Sequence, residues 1–437
     1  MKKYRHLRGT LFDIERQLRT RNSGADEAIS EAFVKESAAA PAPPAPAPAA
    51  EARGIGRRGS NESLTSLTGQ RFFSQAHTGG ANWLTRLIAY DNNWNSRPIN
   101  KLFIPGSHDA LIPISETEST KIFLRNQFMK RFGSTQYHKI DLQLNNGYRY
   151  FDIRLGNASN GYRGVHTPLK GFGAYGSNWK ETLGSCYQFL EENPREFIIL
   201  RVDKSENGFE TELIEQEIET RKRHPHGRLY SDLSGRDENL ATTPINQVIG
   251  KIVILTNNEI TIPDKDSTHE KDSYQKCFKK FLNLKLKDMQ KLDADEKGIM
   301  LEEFKSGTVT KIFGGYANTD VGTNVLSHMR NVATYIKGAR DYFLQLSWQV
   351  TLGPKYVTSG SIEEQTHQQL WTAASIEQAI QLLTEARNQG NGSLFTHDFV
   401  NGVTGSMIYE MNFGANPNVA SIERELKEII NYSDDYK

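Results

Sequence analysis

Cysteine is nearly absent from this chain: Cys186 and Cys277 are the two in 437 residues. Two thiols cannot build a disulfide framework, and no CxxC or Cys/His cluster suggests structural zinc. An excess of one charge is also missing, because 53 Lys and Arg stand against 52 Asp and Glu. That balance gives no sign of a nucleic-acid binder. Nor is there an uninterrupted apolar run of about 18 residues, the minimum for a transmembrane helix. The amino terminus, MKKYRHLRGTLFDIERQLRTR, starts with basic residues as a secretory signal would, yet no apolar core of roughly 7 to 15 residues follows. No Sec signal peptide is expected. Cytoplasmic residence and export by a non-Sec route both stay open.

What is present falls into three parts. Residues 1–37 read as a basic, partly helical segment. Residues 38–80 open with AAAPAPPAPAPAA and continue rich in Arg, Ser and Gly, a composition too poor in apolar side chains to fold alone. A dispensable tail and a delivery or docking address are both open for this extension. A folded domain is expected over 81–437.

In that domain apolar strand-like runs occur at 102–105, 148–155, 162–166, 196–203, 250–257, 342–350 and 393–400. Helical stretches are expected near 178–192, 208–222, 273–290, 322–338, 375–388 and 419–431. Alternation of this kind indicates a parallel sheet with crossover helices, but a doubly wound sheet would show it too. Polar residues help to choose. His108, Arg154, His166, Asp203, Asn257, Trp348 and Asp398 stand at or near the carboxyl ends of these runs. Those ends share one rim in a (β/α)8 barrel, whereas an open sheet gathers them at a switch point. The expected class is therefore α/β, a distorted TIM barrel carrying a disordered Ala/Pro-rich N-terminal extension.

Three segments carry the chemistry: IPGSHD at 104–109, YFDIRL at 150–155 and GVH at 164–166. Two histidines, an arginine and acidic partners suffice for phosphodiester cleavage without a metal. One imidazole takes a proton, the other gives one, and a cation holds the phosphate. Most of the eleven histidines are expected to be structural. An arginine inside FDIRL would be a poor choice for a buried strand unless it had such a task.

KLFIPGSHDA, GYRYFDIRL, the Val165–His166 pair and FLEENPREFIIL together resemble the bacterial-type phosphatidylinositol-specific phospholipases C, a family of X-domain-like phosphodiesterases, over residues 101–200. The resemblance implies that His108 is the general base toward the inositol 2-hydroxyl and His166 the general acid toward the diacylglycerol oxygen. Arg154 would neutralise the transition state. Asp398 would orient His108, Asp109 would support His166, and Asp152 would be a further partner. For the inositol ring it suggests Asp272 and Tyr274, with Lys204 as an added contact. No metal and no cofactor are implied, and the partner is a membrane surface containing phosphatidylinositol or a close glycolipid. Family members commonly carry an arginine after the strand matched by GKIVIL, where this chain has Thr256 and Asn257. That departure bears on the head group more than on the reaction.

Two other signals are weighed here. DADEKGIMLEEF at 293–304 resembles a calcium-binding EF loop. It puts Phe304 where the bidentate glutamate belongs and Lys297 at a ligand position, so a surface loop is the better reading. TKIFLRNQFMKRF at 120–132 is basic and amphipathic, suiting either an anionic membrane surface or an ordinary barrel helix; Trp94 and Trp371 could be interfacial. The rival enzyme class is a metal-dependent glycerophosphodiester phosphodiesterase, disfavoured by the arginine in FDIRL. The rival outside enzymes is a lipid- or protein-binding module on the same fold, and a delivered bacterial effector fits the extension.

Overall fold

The computed structural model describes residues 80–119, 133–169, 172–203, 239–256, 300–304, 310–317, 321–335, 341–351 and 361–434. The extension over 1–79, the stretch 120–132, the helices expected at 208–222 and 273–290, Cys277, Lys204, Asn257, Asp272 and Tyr274 lie outside them.

Strands appear where apolar runs predict them: β1 (Phe103–Ser107), β3 (Tyr150–Ala158), β6 (Ile198–Asp203), β7 (Ile252–Thr256), β10 (Phe343–Trp348) and β11 (Ser393–His397). Four more were not anticipated: β2 (Glu118–Ser119), β5 (Phe172–Asn178), β8 (Met300–Phe304) and β9 (Thr310–Gly314). The parallel strands lie in the order β7-β6-β3-β1-β11-β10-β9. Except between β7 and β9, each neighbours its successor along the chain, and the last, β11, pairs with the first, β1, from Phe103–Ser393 to Ser107–His397. First-to-last pairing is what a closed barrel requires and what a doubly wound sheet forbids. Among the described residues β7 and β9 are not paired with each other, so the barrel is distorted.

One expectation changes. The run at 162–166 belongs to β4 (Gly161–Leu169), which is antiparallel to β3 and continues into antiparallel β5 and β2. A two-residue connection after Ala158 cannot make the crossover a parallel pair needs. His166 therefore reaches the rim from a hairpin leaning over it, not from a barrel strand. Phe304 of the EF-like loop ends β8, which pairs antiparallel with β9.

The helices are α1 (Trp83–Tyr90), α2 (Ile140–Asn145), α3 (Trp179–Glu192), α4 (Ile245–Val248), α5 (Gly322–Tyr335), α6 (Ile362–Gln369), α7 (Ala373–Asn388), α8 (Gly402–Tyr409) and α9 (Val419–Asp434). Their starts are specified locally. The Asn178 side chain caps α3 by accepting from the amides of Lys180 and Glu181, and Ser361 with Glu364 forms a reciprocal capping box on α6. Pro194 follows the end of α3 closely, where a helix cannot continue.

Apolar side chains of α5, α7 and α9 form one core with β10 and β11, including Met329, Leu383, Leu426, Leu346 and Phe395. Those of α3 pack with β3 and β6, including Leu183, Phe151 and Leu200. Trp348, Trp371 and Trp94 are all buried. Trp348 donates its indole N–H to Ser375, so it is core, and neither of the other two is available to an interface. Cys186 is also buried, with its thiol pushed above its usual pKa by that burial.

Helix α1, the first among the described residues, is tied to the barrel by one buried ion pair. Arg149 Nη2 lies 3.0 Å from Glu196 Oε2, with both side chains fully buried. Glu196 also accepts from the Leu84 and Thr85 amides and the Thr85 hydroxyl. Arg149 donates to the carbonyls of Gly80, Ala81, Leu144 and Tyr148. Glu196→Ala strands a buried guanidinium, so a loss of about 3–5 kcal/mol is expected. Urea unfolding of the variant beside the parent reads it, and a loss below about 1 kcal/mol would show the pair to be solvated.

Candidate active site

Three neighbouring barrel strands and the β4 hairpin deliver the polar residues. His108 leaves the end of β1, its amide donating to the His397 carbonyl at 3.1 Å. Asp109 follows with φ +42°, a left-handed conformation that aspartate tolerates better than most residues. The loop then crosses the β4–β5 hairpin where only glycine fits. A Cβ on Gly176 would lie 1.8 Å from the Leu111 carbonyl oxygen, and one on Gly164 would lie 2.4 Å from the Leu111 Cβ. Arg154 projects from β3, His166 from β4, and Asp398 stands immediately after β11.

These residues converge. His108 Nδ1 lies 2.8 Å from Asp398 Oδ1. A carboxylate can only accept, so Nδ1 carries the proton and Nε2 of the neutral ring presents a lone pair. His108 Nε2 is 3.5 Å from Asp109 Oδ2, and His166 Nε2 is 3.8 Å from that same oxygen. Arg154 bridges the group, with Nε 3.1 Å from Asp109 Oδ1 and Nη2 3.4 Å from His108 Nε2. His166 Nδ1 donates to the Gly133 carbonyl at 2.9 Å, which fixes its tautomer in the same way.

Asp152 stands one step behind. Its Oδ2 is 3.9 Å from His108 Nε2 and accepts from the Tyr316 hydroxyl at 2.6 Å, while its Oδ1 is 3.0 Å from Arg201 Nη1. Arg201 also donates to Tyr316 at 2.8 Å. The Tyr316 ring lies 5.0 Å from the His108 ring. Burial, and next the Asp152 charge, raise the Tyr316 pKa, so its hydroxyl stays a donor.

Arg201, Tyr316 and the Gly133 carbonyl were not anticipated. Arg201 gave the same signal as Arg154, a cation inside an apolar run, IILRVD, and could have been found by it. Tyr316 sits beyond a strand too short to recognise, and a backbone carbonyl leaves no mark in sequence. Of the expected site residues, His108, Asp109, Asp152, Arg154, His166 and Asp398 come together. Lys204, Asp272 and Tyr274 lie outside the described residues.

The electrostatics separate the two imidazoles. Burial works against protonation of His108, but Asp109 and Asp398 outweigh it and raise its pKa. At His166 burial prevails over Asp109 and lowers the pKa. Burial raises Asp398 despite His108 beside it. At Asp109 burial is overcome by Arg154, His108 and His166, and the carboxyl falls below its usual range. His397, next to Asp398, has its pKa pushed down to about 4 by burial; it bonds Tyr148 and the Asp398 carbonyl, a structural neutral ring.

His108, Asp109 and Asp152 offer atoms within 4.8 Å of one another, a spacing compatible with a metal ion. Arg154 and Arg201 already set fixed positive charge against both carboxylates. The arrangement can hold a phosphate diester beside Arg154 with a proton acceptor and a proton donor next to it.

No family model matches the chain. Two curated proteins match parts of it. A PI-PLC X domain-containing protein from Dictyostelium discoideum is 33% identical over 85 residues, 17% of this chain and 14% of that protein. PI-PLC X domain-containing protein 2 from Homo sapiens is 29% identical over 137 residues, 28% of this chain and 42% of that protein. Among solved structures, a double mutant of the phosphatidylinositol-specific phospholipase C from Staphylococcus aureus covers 76% of this chain and 96% of that one, with TM-score 0.50 and 14% identity. The enzyme of the same name from Listeria monocytogenes covers 76% and 98%, with TM-score 0.47 and 17% identity.

This chain resembles the phosphatidylinositol-specific phospholipases C. The match spans less than half the length of either curated relative. At 14% identity the Staphylococcus aureus structure speaks for the fold, a TIM-like barrel.

Replacing Asp109 by Asn keeps a side chain suited to the left-handed backbone and removes the charge facing both rings. The pKa values of His108 and His166 should both fall, read from imidazole resonances across a pH series. An unchanged His166 would mean that Asp109 does not face it in solution.

Proposed function

We propose that this chain is a phosphatidylinositol phosphodiesterase of the phospholipase C type, cleaving without a metal to diacylglycerol and inositol 1,2-cyclic phosphate. The observation that carries the reading is the convergence of His108 Nε2 and His166 Nε2 on one Asp109 oxygen beside the Arg154 guanidinium. A close glycosylated phosphatidylinositol offers the same reacting atoms.

In this reading His108 Nε2 takes the proton of the inositol 2-hydroxyl, and that oxygen attacks the phosphorus of the same molecule. The bond from phosphorus to the diacylglycerol oxygen breaks as His166 Nε2 gives its proton to the leaving oxygen. His108 ends with one proton more and His166 with one fewer, and exchange with water resets both. Intramolecular attack removes most of the entropic cost of bringing nucleophile and phosphorus together. Arg154 forks onto two phosphate oxygens as charge gathers on them, and it stays cationic throughout. Its side chain is one-third exposed while Asp109 beside it is fully buried, so Arg154 is the cation a diester meets first. Tyr316 offers an aromatic face next to the base for the sugar ring. The enzyme works peripherally at a lipid surface, and among the described residues no helix is long and apolar enough to cross a membrane.

The free site holds its proton on the wrong ring for this cycle. His108 is raised and His166 lowered, so the pair with His108 neutral and His166 charged is the minor one. A bound anionic diester favours the protonated form of both rings, His166 included. The pH profile of kcat/KM should be a bell, with its acid limb governed by the lower pKa and its alkaline limb by the higher one, that of His108. Asp398→Asn removes a charge that raises His108, so the alkaline limb should move to lower pH. A limb that stays in place would reassign the higher pKa to another group.

The direct test is release of inositol 1,2-cyclic phosphate from phosphatidylinositol vesicles in excess chelator. The parent protein should release it, with His108→Ala and His166→Ala each slower by about 10²–10⁴-fold. No product with chelator or with added calcium would overturn the assignment. Product only with calcium would overturn the metal-independent mechanism.

A further inference from the structure

A short segment, Gly133 to Tyr137, touches His166 on β4 and the loops after β1 and β11. Gly133 holds His166 through its carbonyl. The Thr135 hydroxyl donates to the Asp109 carbonyl at 2.8 Å, and the Thr135 carbonyl accepts from the Phe399 amide at 2.7 Å. The Gln136 side chain donates to the His108 carbonyl at 2.6 Å and accepts from the Val400 amide at 3.0 Å. Thr135 and Gln136 are both buried. The Tyr137 ring packs on Phe399 with centroids 5.0 Å apart, and its hydroxyl meets His367 of α6 at 2.6 Å.

Among the described residues, Asp109 and Phe399 are the two non-glycine positions with positive φ, +42° and +52°. Each is held by Thr135, one through the hydroxyl and one through the carbonyl. Phe399 is the more telling, since a bulky residue adopts this conformation only when its surroundings impose it. These two positions flank the His108–Asp398 contact. A backbone that relaxed at either would swing His108 and Asp398 apart.

We propose that Thr135 and Gln136 are positioning residues that clamp the loop after β1 to the loop after β11 and thereby set the His108–Asp398 geometry. The proposal rests on the reading of His108 as the base, but it is a claim about geometry that can be measured without turnover. Neither side chain is placed to touch substrate. The two buried amide and hydroxyl bridges bind backbone atoms only, so substrate affinity is not their business. Their effect falls on the orientation of a proton acceptor, to which rates are steep: a misplacement of about 1 Å can lose about 10²-fold.

The groups that face His108 are Asp109 from its own loop, Asp398 from the loop after β11, Asp152 and Arg154 from β3, and Tyr316 from the loop after β9. Loosening the clamp weakens the Asp398 contact first and leaves the β3 groups in place. The His108 titration should then move down.

The experiment uses the full chain with Thr135→Val, Thr135→Ser and Gln136→Met. Valine keeps the threonine shape without the hydroxyl, serine keeps the hydroxyl, and methionine keeps the length of glutamine without its amide. Thermal unfolding, the His108 imidazole titration and the kinetics of cyclic phosphate release from phosphatidylinositol vesicles are read for each. Thr135→Val and Gln136→Met should stay folded, titrate His108 at lower pH, and lose about 10- to 100-fold in kcat with KM unchanged. Thr135→Ser should recover both titration and rate. Folded variants with the parent's His108 titration and kcat would overturn the proposal. Unfolding of Thr135→Val while Thr135→Ser stays intact would also overturn it, since the hydroxyl would then serve the fold at large. If the parent releases no cyclic phosphate, the proposed reaction fails, and the titration still decides the clamp.

Discussion

Three buried carboxylates at one rim have to be neutralised, and most of the local architecture follows from that requirement. Asp109, Asp152 and Asp398 are almost fully shielded from water. An ionised carboxylate without compensation is very costly in such a place. Arg154 and Arg201 supply two fixed positive charges, 3.1 Å from Asp109 and 3.0 Å from Asp152. One negative charge is left over, and His108, in contact with Asp398 at 2.8 Å, is the group able to match it by taking a proton. Its raised pKa is thus a consequence of counting charges across β1, β3 and β11, and not of any single neighbour. The same arithmetic leaves the His166 pKa lowered, because among the described residues no fourth carboxylate offsets its burial.

The two left-handed residues show where this arrangement is maintained against local preference. Phe399 at φ +52° costs on the order of 1–3 kcal/mol compared with an unstrained backbone. Its ring is recovered into the aromatic group of Tyr137, His367 and Trp371. Rim groups and core are therefore not separate layers here, because the packing of α6 against Phe399 bears directly on the next residue back, Asp398.

Local signals carried the part of the site that is written locally. A histidine or arginine set at or near the end of an apolar run is conspicuous, and His108, Arg154 and His166 stood out on that basis, whereas Asp398 was named through the family resemblance. The barrel strands were readable because their runs are mostly apolar and buried on both faces, as at β10, where all six residues are buried, Gln345 and Ser347 included. The direction of β4 was misjudged because GYRGVH looks the same in either orientation, and only its short connection to β3 decides. β8 went unread because MLEEF is half charged. β9 offers five residues with no flanking alternation. Trp348 was placed at the rim by its position in the run, but side chains alternate along a strand and this one turns into the helix layer. Arg201 was passed over although it stands in an apolar run as Arg154 does; its partners, Asp152 and Tyr316, lie 49 and 115 residues away, so the sequence did not show what such a cation would neutralise.

The strand order has a bearing on how such a protein can change. The rim groups proposed for proton transfer and charge neutralisation come from β6, β3, β1 and β11, four adjacent strands, and from the β4 hairpin attached to β3. Of the chain positions first considered for gripping the head group, Lys204 follows β6 in sequence and Asp272 and Tyr274 follow β7. The charge balance therefore binds one continuous arc of the barrel, β6-β3-β1-β11, through Arg201, Arg154, His108 and the three carboxylates. A charge changed on any of these four strands is felt at the others, because the buried carboxylates share their counter-charges.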